Sequence, residues 1–102
     1  MPGFTPMPAA DPAPVADLLA LCPAHARTPL LDLADLADRT GVAHLSLKDE
    51  RGRMGLGSFK ALGAAYAIAR EAADAGGPWE TALSDRTFVT ASAGNHGLSV
   101  AA

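Results

Sequence analysis

The chain has 102 residues, 49% of them hydrophobic and 19% charged, and a formal net charge of −3. This length allows one small domain at most, and the absence of a Lys- or Arg-rich cluster argues against a nucleic-acid-binding surface. The sequence shows neither an apolar run long enough to span a membrane nor a secretory signal, and its single cysteine, Cys22, favours a cytoplasmic protein without an internal disulfide.

The N-terminal part is predicted to be an arm followed by a short helix. Residues 1–14 contain five of the eight prolines, which predicts a flexible Pro-rich arm. Residues 15–102 are assigned to the N-terminal portion of a larger domain. The apolar stretch 15–22 predicts one or two helical turns that end at Pro23.

A second helix and a strand are predicted next. The apolar residues from Leu30 to Ala37 recur near helical spacing, and Gly41 stands where a glycine commonly ends a helix. Alternation then predicts a short strand near 43–47. Residues 51–57, RGRMGLG, are predicted to form a glycine-rich loop.

The remainder predicts an α/β layer. Ser58 is a suitable N-cap for a helix over 59–75, and residues 79–85 are predicted to form a short helical turn. Residues 87–91 predict a strand, and a new helix is expected from Asn95 onward. Strand, helix, strand, helix is the pattern of an α/β fold, here a parallel-type layer with a right-handed crossover.

The residues most able to bind or react with a ligand lie at the starts of two predicted helices. The first N–H groups of a helix are unpaired and attract anions, and a neutral lysine there, such as Lys60, can condense with an aldehyde. The turn from Ser92 to Gly97 offers backbone amides to a carboxylate or phosphate, and Asn95 offers a side-chain amide. Taken separately, the two motifs also fit an ordinary surface lysine and a generic strand-to-helix turn.

Together, the two motifs resemble a known enzyme family. The segments KDERGRMGLGSFKALGAAYA and TFVTASAGNHGLSVAA, preceded by Thr28-Pro29-Leu30, resemble the fold-type II pyridoxal-phosphate (PLP) enzymes, the tryptophan-synthase-β-like superfamily. Within it they are most similar to diaminopropionate ammonia-lyases and threonine/serine dehydratases. The resemblance covers residues 28–102 and implies part of a tryptophan-synthase-β-like α/β fold.

The resemblance also implies roles for individual residues. Lys60 of the SFK motif would form the Schiff base with PLP, Phe59 would line the cofactor pocket, and Asn95 would contact the ring hydroxyl. The substrate carboxylate would bind to the loop formed by Ser92, Ala93, Gly94, Asn95 and His96. The implied reaction is β-elimination from a small amino acid, which yields a 2-keto acid and ammonia, in an enzyme that is a homodimer at full length.

The sequence departs from the family in two respects. Ala93 stands where diaminopropionate ammonia-lyases carry an aspartate, which implies a single base and action on L-amino acids only. The family's phosphate-binding glycine loop and the residue opposite the pyridine nitrogen lie downstream of residue 102. We therefore expect a truncated form that alone is inactive and binds PLP weakly. The alternatives are a fragment without cofactor binding and another fold-type II enzyme such as threonine synthase.

Other polar residues suggest no separate site. The histidines have no zinc-type spacing with Cys22, so no metal is expected. Asp49 and Glu50, at the end of the predicted strand, fit a solvated strand end better than a catalytic carboxylate pair.

Overall fold

The computed structural model describes residues 9–102 as a small α/β unit. Its elements are, in chain order, α1 (Ala13–Ala20), β1 (Leu30–Asp32), α2 (Ala34–Thr40), β2 (Ser46–Lys48), a 3₁₀ turn (Arg53–Gly55), α3 (Lys60–Ala75) and α4 (Asn95–Ala101). The predicted α/β class is confirmed at this level. None of the helices in this part of the chain is long and apolar enough to cross a bilayer.

The predicted arm falls largely on residues that the structure does not describe, since the description begins at residue 9. The helix expected over 15–22 is present as α1, but it begins earlier, at Ala13. Two local features account for this start. Pro14 lies in the first turn, where its missing N–H is not needed, and the Asp11 carboxylate accepts a hydrogen bond of 3.0 Å from the Ala13 N–H.

The sheet differs from the prediction. β1 and β2 pair antiparallel, with Leu30 opposite Lys48 and Asp32 opposite Ser46. The helix expected from Leu30 onward is therefore wrong in its first part, because these apolar residues pair with β2 before α2 begins. The end of α2 is as predicted, since Gly41 adopts a left-handed conformation with φ 72°.

The strand predicted over 87–91 is also wrong, and with it the parallel layer. This segment has no regular secondary structure, and the ladder hydrogen bonds of β2 are made to β1. A strand requires a hydrogen-bonding partner, and among residues 9–102 this apolar, β-branched segment finds none. Val89 is 90% exposed as a result.

The helices predicted around the two motifs are confirmed. α3 begins at Lys60, whose backbone N–H donates to Ser58 Oγ at 3.2 Å, and α3 ends before Gly76, which has φ 74°. The helical turn expected over 79–85 is present, with the Ala82 N–H donating to the Pro78 carbonyl at 2.9 Å. α3 packs against α1 and α4.

The apolar core is small. Among residues 9–102 its buried apolar residues are one leucine and four alanines: Leu19, Ala37, Ala61, Ala64 and Ala72. No large side chain in the described part of the chain is fully buried, and Trp79 remains 54% exposed. Alanine removes little area from water, so this core supplies little hydrophobic stabilisation.

Candidate functional site

Lys60 is the first residue of α3, and its side chain is exposed. No hydrogen bond or ion pair from another residue in 9–102 engages its amine. Phe59, just before it, is 63% exposed. Two consecutive residues at the start of α3 therefore expose an aromatic ring and an amine that has no partner among the described residues.

The loop before α3 depends on three residues in the left-handed region. Met54 has φ 50°, Gly55 φ 71° and Gly57 φ 72°. Two of them are glycines, for which this conformation is unstrained, whereas it is unusual for methionine. The loop reverses tightly and delivers Ser58, only 8% exposed, to the position where its hydroxyl accepts the Lys60 N–H.

The second predicted motif forms a tight turn into α4. The Ser92 hydroxyl accepts a hydrogen bond of 3.0 Å from the Gly94 N–H, and Gly94 has φ 156° and ψ −86°. The first backbone hydrogen bond of α4 runs from the Leu98 N–H to the Gly94 carbonyl at 2.9 Å. The N–H groups of residues 95–97 consequently have no acceptor within the described residues, and such amides bind anions.

The two motifs lie on neighbouring helices. His96 of α4 and Gly63 of α3 line a common cavity of about 230 Å³ together with Thr90. Within residues 9–102 no hydrogen bond joins Lys60 or Phe59 to the loop of Ser92, Ala93, Gly94, Asn95 and His96. The structure thus brings the helices of the predicted site together, and all of the predicted site residues are exposed.

A polar cluster that the sequence did not reveal lies at the start of the glycine-rich loop of residues 51–57. Arg53 is 6% exposed. Its Nε donates to Glu50 Oε2 at 2.6 Å, and its Nη2 donates to Glu50 Oε1 at 2.8 Å. It also donates to the Ala26 carbonyl at 2.6 Å and to Thr28 Oγ1 at 2.9 Å. The opposite charges three residues apart, next to a glycine loop, were the available sequence signal for this pair.

These contacts correct the interpretation of Asp49 and Glu50. Hydrogen bonds from Arg53 and then Thr28 lower the pKa of Glu50 to about 2. Hydrogen bonds from the side chain and backbone of Arg51 lower the pKa of Asp49 to about 2. Both carboxylates are half-buried and ion-paired, so they form neither a freely solvated strand end nor a pair poised for proton transfer.

Comparison with known proteins identifies the family. Residues 21–102 match the family described as "Pyridoxal-phosphate dependent enzyme". The chain belongs to this family. It is 40% identical over 93 residues to a diaminopropionate ammonia-lyase of Salmonella typhimurium strain LT2, covering 78% of this chain and 23% of that protein. It is also 40% identical over 84 residues to a diaminopropionate ammonia-lyase of Escherichia coli strain K12, covering 72% of this chain and 21% of that protein.

The chain spans between a fifth and a quarter of the length of these pyridoxal-phosphate dependent relatives. No solved structure matches it significantly. The cofactor expected from the sequence, PLP, is that of the family, and this expectation is confirmed.

The residues present fit such a cofactor in two respects. The amine of Lys60 is exposed and has no partner within residues 9–102, which leaves it free to receive an aldehyde. The amides at the start of α4, which have no acceptor in the part of the chain that the structure describes, suit a carboxylate or phosphate oxygen. The individual roles predicted for Lys60, Phe59 and Asn95 and for the 92–96 loop remain predictions.

Proposed function

We propose that this chain forms part of a PLP-dependent amino-acid lyase that removes a β-substituent from a small amino acid, giving a 2-keto acid and ammonia. The supporting observation is the exposed amine of Lys60, without a partner among the described residues, at the start of α3, beside a helix that begins with unpaired amides. We also propose that the complete protein has the tryptophan-synthase-β-like fold, forms a homodimer and resides in the cytoplasm.

Lys60 would hold the cofactor through its amine and, once released, would take the α-proton of the substrate. Asn95 would donate a hydrogen bond to the oxygen on the cofactor ring, and Phe59 would cover part of the cofactor. When bound, the cofactor supplies an electron sink for the charge that develops at the α-carbon.

The substrate carboxylate would rest on the loop formed by Ser92, Ala93, Gly94, Asn95 and His96. The amides of residues 95–97 point toward no acceptor among the described residues, and the partial positive charge of a helix start favours an anion there. Ser92 is held by its hydrogen bond from the Gly94 N–H, which shapes the loop before any ligand binds.

Ala93 restricts the stereochemistry. A methyl group cannot exchange a proton, so no second acid or base stands in this loop. A single lysine base reaches one face of the substrate, and we therefore propose that only one stereochemical series, the L-amino acids, is turned over. Equal turnover of D- and L-substrates would refute this.

The leaving group is proposed to be an amine. The support is the 40% identity to two proteins named as diaminopropionate ammonia-lyases. A hydroxide leaving group, as in dehydratases, or the chemistry of another fold-type II enzyme such as threonine synthase would appear as a different substrate preference. A fragment without cofactor binding is a second candidate, because the chain covers 21–23% of its relatives and its core is small.

Lysine labelling tests the proposal. The chain has two lysines, Lys48 and Lys60. Lys48 Nζ donates to the Thr28 carbonyl, whereas Lys60 Nζ has no partner in the described structure. We expect reduction with borohydride in the presence of PLP, followed by peptide mapping, to place the cofactor on Lys60.

In the complete enzyme, Lys60→Ala should abolish the adduct, the visible absorption and ammonia release together, while Lys48→Ala, the matched control, should retain them. A cofactor mapped to Lys48 would disprove the assignment. The absence of a saturable adduct on either lysine would favour the second candidate, a fragment without cofactor binding.

A further inference from the structure

Four residues that precede Lys60 form a closed polar cluster, which we call the Arg53 clamp: Ala26, Thr28, Glu50 and Arg53. The guanidinium of Arg53 forms the paired hydrogen bonds with Glu50 described above, so both carboxylate oxygens accept a hydrogen bond from it. The Thr28 hydroxyl donates to Glu50 Oε1 and accepts from Arg53, which closes the cluster. Paired, charge-assisted hydrogen bonds of this type fix geometry as well as contribute energy.

The clamp joins parts of the chain that are distant in sequence. Glu50 and Arg53 stand at the start of the glycine-rich loop, whereas Ala26 and Thr28 lie before β1. Backbone contacts reinforce the junction, since the Asp49 N–H donates to the Pro29 carbonyl at 2.9 Å. The loop is therefore anchored at its beginning to the segment before β1.

A short path leads from this anchor to Lys60. The Leu56 N–H donates to the Arg53 carbonyl at 2.9 Å, which fixes the turn after the clamp. Gly57 then reverses the chain with φ 72°, and the hydroxyl of Ser58 accepts the Lys60 N–H. The loop is thus held at its start by a side chain and at its end by a helix cap.

We propose that Arg53 is a positioning residue for Lys60: by clamping the loop to the segment before β1, it sets where α3 begins and so where the lysine amine stands relative to the 92–96 loop. This inference rests on the proposed function of Lys60. A purely structural ion pair would stabilise the chain as a whole, whereas a positioning residue acts specifically on the loop and on the reactivity of Lys60.

The chain offers a matched control. Arg51 lies in the same loop and is also paired with a carboxylate, but its side chain is 87% exposed and it takes no part in the clamp. Arg53→Met removes the donors and keeps an apolar stem. Glu50→Gln combined with Arg53→Met leaves no buried charge unpaired, which separates the loss of positioning from the penalty of a lone charge.

Two readouts are made on the whole chain. The first is amide hydrogen exchange of residues 55–60 without cofactor, which reports opening of the loop. The second is the yield of borohydride-reduced PLP adduct on Lys60 at fixed cofactor concentration. We expect Arg53→Met and the double variant to raise the exchange rate of these amides and to lower the Lys60 adduct, each by roughly tenfold or more. Arg51→Met should change neither.

Thr28→Val provides a milder version if Arg53→Met does not fold. It removes one hydroxyl and keeps the paired contact between Glu50 and Arg53, so a smaller change in the same direction is expected in both readouts. Parallel, graded changes across the variants would support the proposal.

Two results would overturn it. Exchange of residues 55–60 that does not rise above that of the rest of the chain would show a general stabilising role. An unchanged Lys60 adduct despite faster loop exchange would show that the clamp orders the loop without positioning the lysine. Failure of the proposed function is recognised separately, because the unmodified chain would then give no adduct on Lys60.

Discussion

Two regions of the molecule differ in how completely they bury their side chains. The polar region, residues 26–58, is organised around Arg53, whose side chain is almost completely enclosed and whose partners are all present. The apolar region, α3 and α4 with the segment 79–90, encloses little. A groove of about 610 Å³ runs through it, and Trp79 and Phe88 on its wall are 54% and 40% exposed.

This difference in burial shows which interactions a short stretch of chain can form by itself. A hydrogen-bonded ion pair needs a few correctly placed atoms, and the polar region supplies them within some thirty residues of sequence, from Ala26 to Arg53. An apolar core needs area, which grows with the size of the folded unit. The apolar region contributes mainly alanines to its buried positions, so its larger side chains remain at the surface.

Lowering the pH is the broadest test of the difference between the two regions, because it protonates the carboxylates of the polar region together. The pKa values of Asp49 and Glu50 are about 2 in the folded chain, against ordinary values of 3.8 and 4.5. A carboxyl whose pKa is lowered on folding stabilises the folded state above its ordinary pKa, and this stabilisation is lost as the pH falls through the folded pKa.

We therefore expect the hydrogen-exchange protection of residues 46–56, corrected for intrinsic rates, to fall between about pH 4.5 and pH 2, ahead of that of α3. Glu50→Gln should flatten the dependence. Loss of protection in both regions at the same pH would show that they do not behave separately.

Leu19 tests the small apolar core. Of the buried residues that the structure describes, it is the one with a large apolar side chain; it is 6% exposed and lies on α1, which packs against α3. Leu19→Ala should destabilise the chain by about 2–5 kcal/mol, because it removes transfer free energy and leaves a cavity. Urea denaturation followed by circular dichroism measures this. Leu98→Ala, at a site that is 51% exposed, should change the free energy of unfolding by less than about 0.5 kcal/mol. If the two variants lost equal stability, Leu98 would be as well packed as Leu19, and the contrast between the two regions would fail.

Gly94 tests the turn into α4. Its φ of 156° and ψ of −86° are accessible to glycine and strained for other residues. Gly94→Ala should destabilise the folded chain by about 1–3 kcal/mol. Gly97→Ala is the control, since its added methyl would make an ordinary contact of 3.5 Å with Ser92 Cβ. Urea melts of both variants decide the point, and equal stabilities would mean that Gly94 is unstrained.

The smallest effect is expected at Gly63, within α3. A methyl group added there meets nothing within 4 Å, so Gly63→Ala should stabilise the chain by about 0.5–1 kcal/mol through helix propensity alone. Gly41→Ala should have the opposite sign, because Gly41 ends α2 with φ 72°. Thermal melts of the two variants check the pair, and a destabilised Gly63→Ala would contradict the prediction that the added methyl group meets open space.

The sequence predicted where the helices around the candidate site begin and end. α3 and α4 begin within one residue of the expected positions, and Gly41 ends α2 as expected. These features are local: a serine hydroxyl accepts a nearby N–H, and glycine adopts a left-handed turn, whatever the rest of the chain does. The family was also predicted from the sequence, and the family match over residues 21–102 includes both motifs.

What only the tertiary structure decided concerns partners distant in sequence. The antiparallel pairing of Leu30–Asp32 with Ser46–Lys48 replaced an expected helix, and residues 87–91 remained unpaired for want of a neighbouring strand among the described residues. The clamp belongs to the same class, since the buried guanidinium of Arg53 donates to the Ala26 carbonyl and to Thr28 Oγ1, which lie far from it in sequence. Periodicity and propensity describe how a residue fits its immediate neighbours, whereas strand pairing and buried charge depend on which distant atoms the folded chain brings within hydrogen-bonding distance.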